Sequence, residues 1–149
     1  MPAKTIVILT YDGAQPIDIA GPLQAFATAN EEAGVEAYRV NVAAVGRTAL
    51  DLTGGLRVLV EPPPARADTL VVPGGPGVHA AKASPSHIAA VRKLSRHARR
   101  VCSVCTGAFL LAEAGLLNNR KAVTHWRACA RLRRRIPEHP RPRRSDLGA

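Results

Sequence analysis

Cys105 is the residue best placed to do chemistry. It follows the apolar run Val101-Cys-Ser-Val104 and opens a stretch with helical spacing, Cys105 to Ala112. In open parallel sheets, sites form beyond the carboxyl ends of the strands. A cysteine on a tight strand-to-helix turn projects its sulfur there, as in a nucleophile elbow. The positive end of the following helix favours a thiolate. Gly107 is small enough to let such a turn approach its neighbour. The rival reading is a buried structural cysteine.

Three other features stand beside it. Pro73-Gly-Gly-Pro-Gly77 ends a second apolar run, and glycines there let backbone N–H groups face a ligand or a developing oxyanion. A phosphate loop would need a Lys and a Ser/Thr that are missing. Asp18 follows the first strand-like run and precedes Gly21-Pro22. Capping the helix is the commoner role for Asp at such a place. The other reading turns it into a cleft shared with Cys105, where a carboxyl beside a thiolate has a raised pKa and can donate a proton. Cys102 and Cys105 have the C-x-x-C spacing, but three residues along a strand separate them by roughly 10 Å. That exceeds the reach of a disulfide, about 7 Å between Cα atoms. Cys102 is expected to pack. Cys102, Cys105, His125 and Cys129 could suit zinc by spacing alone. The apolar helix that follows at once argues against it, and no metal or cofactor is expected.

These residues need a scaffold that brings distant runs together. The chain has 149 residues, one domain's worth, with 46% hydrophobic and only 3% aromatic residues, so the core must be aliphatic. No apolar run approaches the roughly 18 residues of a membrane span. The opening Met1-Pro-Ala-Lys4 has no export-leader pattern, and three cysteines suit a reducing cytoplasm. Apolar runs alternate with helical stretches, the pattern of βα units around a parallel sheet. Strands are expected at Thr5–Leu9, Tyr38–Val45, Asp68–Val72, Val101–Val104 and Lys121–Thr124. Helices are expected at about Ile19–Ala33, with Pro22 near the start, and at Pro85–Arg99, Cys105–Ala112 and Trp126–Arg135. Thr53-Gly-Gly55 reads as a turn, with Leu56–Val60 as the returning arm of a hairpin.

The net charge of +10 is unevenly placed. Residues 1–91 carry six Lys+Arg against eight Asp+Glu, and residues 92–149 carry fifteen against three. The basic residues are densest from Arg131 to Arg144, a stretch that reads as a solvated extension more than a nucleic-acid arm, and the Arg/Pro-rich residues 137–149 are expected to be disordered.

Four motifs in order now resemble a known family: Gly21-Pro-Leu-Gln-Ala-Phe26, Val72-Pro-Gly-Gly-Pro-Gly77, Ser103-Val-Cys-Thr-Gly-Ala108 and Thr124-His-Trp126. They resemble the ThiJ/PfpI superfamily, the class I glutamine amidotransferase-like fold. Within it they look like the branch of isonitrile hydratases and the N-terminal domains of AraC-type transcription regulators. The resemblance implies a flavodoxin-like three-layer α/β sandwich over residues 1–136, with a mostly parallel sheet, and a homodimer. It also implies closing strands and a closing helix that this chain lacks. Cys105 matches the family nucleophile, Asp18 the neighbouring acid of the hydratases, and Thr106 the adjacent threonine. Gly74, Gly75 and Gly21 are the expected ligand-binding positions. Thr106 stands where protease-like relatives have His, which argues against protease or amidase activity. His125 is expected to be structural. Gln24 replaces the Glu usual in the family.

Two functions follow from the resemblance. The first is a ligand-sensing domain related to AraC-type regulators, reaching DNA only through a C-terminal domain missing here. The alternative is a cysteine-dependent isonitrile hydratase that converts isocyanides to N-substituted formamides. Both imply a small-molecule ligand and neither implies a membrane.

Overall fold

The computed structural model describes residues 1–136; the expected Arg/Pro-rich tail at 137–149 lies outside the described residues. Its strands are β1 (Lys4–Leu9), β2 (Tyr38–Ala43), β3 (Ala49–Asp51), β4 (Arg57–Leu59), β5 (Thr69–Val72) and β6 (Arg100–Ser103). Its helices are α1 (Pro16–Ala33), α2 (Val78–Lys82), α3 (Pro85–Ser95), α4 (Ala108–Glu113) and α5 (Cys129–Arg135). Four strands form one parallel sheet in the order β2-β1-β5-β6. Their β-branched runs bury both faces, as parallel strands covered by helices must. Ile6, Val7, Ile8, Leu9, Leu70 and Val72 are all buried. The register sets Val7 beside Leu70 and Val72 beside Ser103. β3 and β4 form the separate antiparallel hairpin expected around Thr53-Gly-Gly55.

The connection β1–α1–β2 moves one way across the sheet, and β5–α2–α3–β6 moves the other way. Parallel crossovers are right-handed, so their helices cover opposite faces of the sheet. The result is a three-layer α/β sandwich. The ends of β1 and β5 lie where the direction reverses, and the loops that follow them meet there.

Several boundaries differ from the sequence expectation, each for a local reason. α1 begins at Pro16, which takes the first-turn place where a missing N–H costs little. Pro22 therefore sits inside the helix and removes the bond to the Asp18 carbonyl. α3 ends at Ser95 and not Arg99, because the N–H groups of Arg99 and Arg100 both bond to the Asp68 carbonyl and draw the chain into β6. Residues 121–124 form no strand; Lys121, Ala122 and Val123 are exposed and have no strand to pair with. α2 had no clear sequence signal. Cys102 is exposed, not packed, since β6 is an edge strand of the described sheet.

Gly107 shows how tightly β5 and the start of α4 meet. A Cβ there would lie 2.2 Å from the Val72 carbonyl oxygen, an impossible contact with fixed backbone. Gly21 lies on α1 with nothing within 4 Å of an added Cβ. Urea titrations should therefore separate two substitutions of the same kind. Gly107→Ala is expected to destabilise by about 2 kcal/mol or more through forced displacement. Gly21→Ala is expected to be neutral or stabilising by up to about 1 kcal/mol. Equal effects would contradict the close approach.

Candidate functional site

The corner after β6 carries an uncommon backbone. Cys105 has φ 52°, the left-handed region that side chains disfavour. A tight turn, Cys105–Gly107, leads from it into α4. Thr124 holds the corner from outside: its hydroxyl donates to the Cys105 carbonyl at 2.8 Å. The Gly107 N–H donates to the Val104 carbonyl at 2.9 Å, and the Val104 N–H to the Val72 carbonyl at 2.9 Å. The Cys105 thiol is free and half-buried.

The loop after β5 presses on this corner. A Cβ on Gly74 would lie 2.6 Å from the Thr106 nitrogen and 3.0 Å from the Cys105 Cβ. Gly75 has φ 134°, and a Cβ there would meet the Gln15 nitrogen at 2.5 Å. Only glycine fits between the two neighbours. The Gly74 N–H donates to Asp18 Oδ2 at 3.0 Å, and the Gly75 N–H to Thr106 Oγ1 at 3.0 Å. These donors are turned inward onto side chains. Both are thus engaged by Asp18 and Thr106.

Asp18 is buried in the first turn of α1 and is not its cap. The cap position is Gln15, without a side-chain cap bond. Burial raises the Asp18 pKa, and the Gly74 N–H opposes part of that rise. The structure thus brings together Cys105, Asp18, Thr106, Gly74 and Gly75. Gly21, one turn further along α1, is exposed, with nothing within 4 Å of an added Cβ. Gln24 is exposed and bonds Thr28 within the same helix. His125 caps the short turn at Trp126–Ala128, where its Nδ1 accepts the Arg127 N–H. Among the described residues no cluster of His, Cys, Asp or Glu could hold a metal ion.

Tyr11 is the site residue that sequence reasoning missed. It looked like one residue of a polar loop, and no spacing rule singled it out. It is buried, and its hydroxyl donates to the Pro73 carbonyl at 2.6 Å. Burial pushes its pKa up, and the nearby Asp18 and Cys105 push it further. The phenol therefore stays a donor. Its ring meets the edge of His87 at 5.5 Å, and burial pushes the His87 pKa down to about 4. His87 is neutral at neutral pH.

The DJ-1/PfpI family profile matches residues 4–138. The chain belongs to the DJ-1/PfpI family. It is 38% identical over 135 residues to a protein from the cpoL 5' region of Streptomyces lividans, covering 89% of this chain and 94% of that one. It is 45% identical over 92 residues to the HTH-type transcriptional regulator Rv1931c of Mycobacterium tuberculosis, covering 62% of this chain and 36% of the regulator. It is 30% identical over 129 residues to an isonitrile hydratase of Pseudomonas putida, covering 83% of this chain and 53% of the hydratase. A ThiJ/PfpI family crystal structure from Pseudomonas syringae superposes with a TM-score of 0.81 at 26% identity, over 95% of this chain and 59% of that one. The fold is therefore that of the DJ-1/PfpI family.

The raised Asp18 pKa has a stability consequence. A group whose folded pKa is raised favours the fold while protonated, and that contribution is lost as pH rises through the folded pKa. Asp18→Asn removes the titration and keeps an oxygen able to accept the Gly74 N–H. The stability of the variant relative to the parent should rise with pH from about pH 3.8 upward and level off above the folded pKa. Denaturant titrations at several pH values measure it. A difference that falls with pH would mean that Asp18 is stabilised as the anion.

Proposed function

We propose that this chain is a ligand-sensing domain related to AraC-type transcription regulators, with a small molecule bound in the cleft beside Cys105. The observation that carries the reading is the use made of the polar groups. Asp18 and Thr106 each spend an oxygen on bracing the glycine loop. That bracing fixes the loop beside Cys105, which suits recognition. The 45% identity to an HTH-type regulator supports the same reading. The chain spans about a third of that regulator's length. DNA contact would then belong to a separate domain, with a homodimer in the cytoplasm as the working form. Among the described residues, no helix is long and apolar enough to cross a membrane.

One observation favours a second reading. Asp18 and Cys105 both lie near Tyr11, and burial raises the Asp18 pKa; an acid and a thiol gathered at one place are what a hydratase would use. In that chemistry the Cys105 sulfur bonds to the isocyanide carbon and Asp18 delivers the proton to it. Water then adds to the resulting thioimidate and the carbon–sulfur bond breaks, which returns the thiol. The sum is one water added to the isocyanide, giving a formamide. The half-buried sulfur at the strand-to-helix corner would serve as its nucleophile elbow.

One pair of experiments separates them. The full chain is incubated with cyclohexyl isocyanide, and N-cyclohexylformamide is measured. Melting is followed in parallel against a library of small metabolites, with Cys105→Trp as a filled-cleft control. The sensor reading expects no formamide from folded protein and at least one compound that raises the melting temperature of the parent but not of Cys105→Trp. Formamide production that Cys105→Ala abolishes would overturn it in favour of the enzyme.

A further inference from the structure

α5 and the turn before it carry a feature that the Cys105 cleft does not use. Ala128, Leu132 and Ile136 recur every four residues and are all buried, so one stripe faces the core. The exposed side is mostly basic, with Cys129 and Ala130 among its arginines. Arg127, Arg131, Arg133, Arg134 and Arg135 are exposed, and from Arg120 to Arg135 there are seven Lys+Arg with no Asp or Glu. The three ion pairs among the described residues all lie between Asp12 and Arg57, far along the chain from this segment. Beside the arginines stands Trp126, 73% exposed. The Arg127 guanidinium lies 4.8 Å from its ring centroid, and the His125 ring stacks near it at 5.7 Å and 26°. An exposed large aromatic dressed by a cation and set in a basic field is a platform for an unpaired base, with neighbouring cations for the phosphates.

We propose that the face made by Trp126 and the exposed arginines of α5 binds single-stranded nucleic acid. Charge complementarity calls for a polyanion, and the uncovered indole calls for a flat partner. A membrane surface fits less well. An amphipathic helix binds lipid through a free apolar face, and α5 has already buried its own against the core. Val123 and Trp126 are the large apolar side chains left exposed in this segment, too few to anchor a helix. A duplex fits less well because its base faces are stacked within it. The proposal uses no residue of the Cys105 cleft, so it stands or falls apart from the sensor reading.

Trp126 is the single tryptophan, so its fluorescence reports the site directly. The full chain is titrated with an oligothymidylate of roughly fifteen nucleotides, long enough to span one such platform. Quenching of Trp126 emission is expected. With about four cations engaged, raising the salt from 50 to 200 mM should weaken binding on the order of 50-fold. Trp126→Ala should weaken it on the order of tenfold, and Trp126→Phe should restore most of the loss. Arg133→Gln combined with Arg134→Gln should make the logarithmic salt slope shallower by roughly 1.4. All these side chains are exposed, and unchanged circular dichroism checks that the variants fold. The absence of quenching would overturn the proposal. So would a hairpin duplex that binds as tightly and is unaffected by Trp126→Ala, or a Trp126 emission shift given by phosphatidylserine vesicles and not by the oligonucleotide.

Discussion

Two backbone N–H groups, those of Gly74 and Gly75, tie three distant stretches of chain into one place. Gly74 donates to Asp18 of α1, and Gly75 donates to Thr106 at the corner before α4. Neither bond is possible unless the loop lies flat against Cys105, and that requires positions without a Cβ. The sheet makes the meeting unavoidable. β1, β5 and β6 are neighbours in parallel register, so their following loops all emerge on one edge. A buried N–H left without a partner costs about 1–3 kcal/mol, so loosening either side chain also loosens the loop.

The same constraint accounts for the strain at Cys105. A non-glycine residue in the left-handed region costs about 1–2 kcal/mol. It persists here because the surroundings determine it several times over. Thr124 bonds its carbonyl, Gly107 packs on Val72, and the Gly74 loop covers its Cβ. Strain of this kind gathers at sites of binding or reaction. It fixes the half-buried Cys105 at the corner between β6 and α4. Tyr11 completes the wall by fixing the Pro73 carbonyl, while its buried phenol stays protonated beside Asp18.

Much of this was legible in the residues themselves. Uninterrupted β-branched runs such as Thr5–Leu9 have few ways to be buried, so the parallel sheet could be read directly. Glycine pairs at strand ends marked the loops, and Cys105 with Gly107 marked the corner. What escaped depends on distance in space. Asp18 as a cap and Asp18 as a loop brace look identical along the chain, since the partner that decides lies 56 residues away. The role of Tyr11 is likewise set by Pro73. Residues 121–124 alternate well enough for a strand, yet a strand needs a neighbour, which no local pattern supplies. The short α2 is held mainly by tertiary contact, because five residues are too few to be helical alone.

Amide hydrogen exchange at Gly74 and Gly75, followed residue by residue in the parent and in Asp18→Ala, tests the brace most directly. Both amides should be strongly protected in the parent, and Asp18→Ala should speed Gly74 while sparing much of the protection of Gly75. Exchange of both at the rate of an open loop in the parent would mean that the three segments are not joined as described.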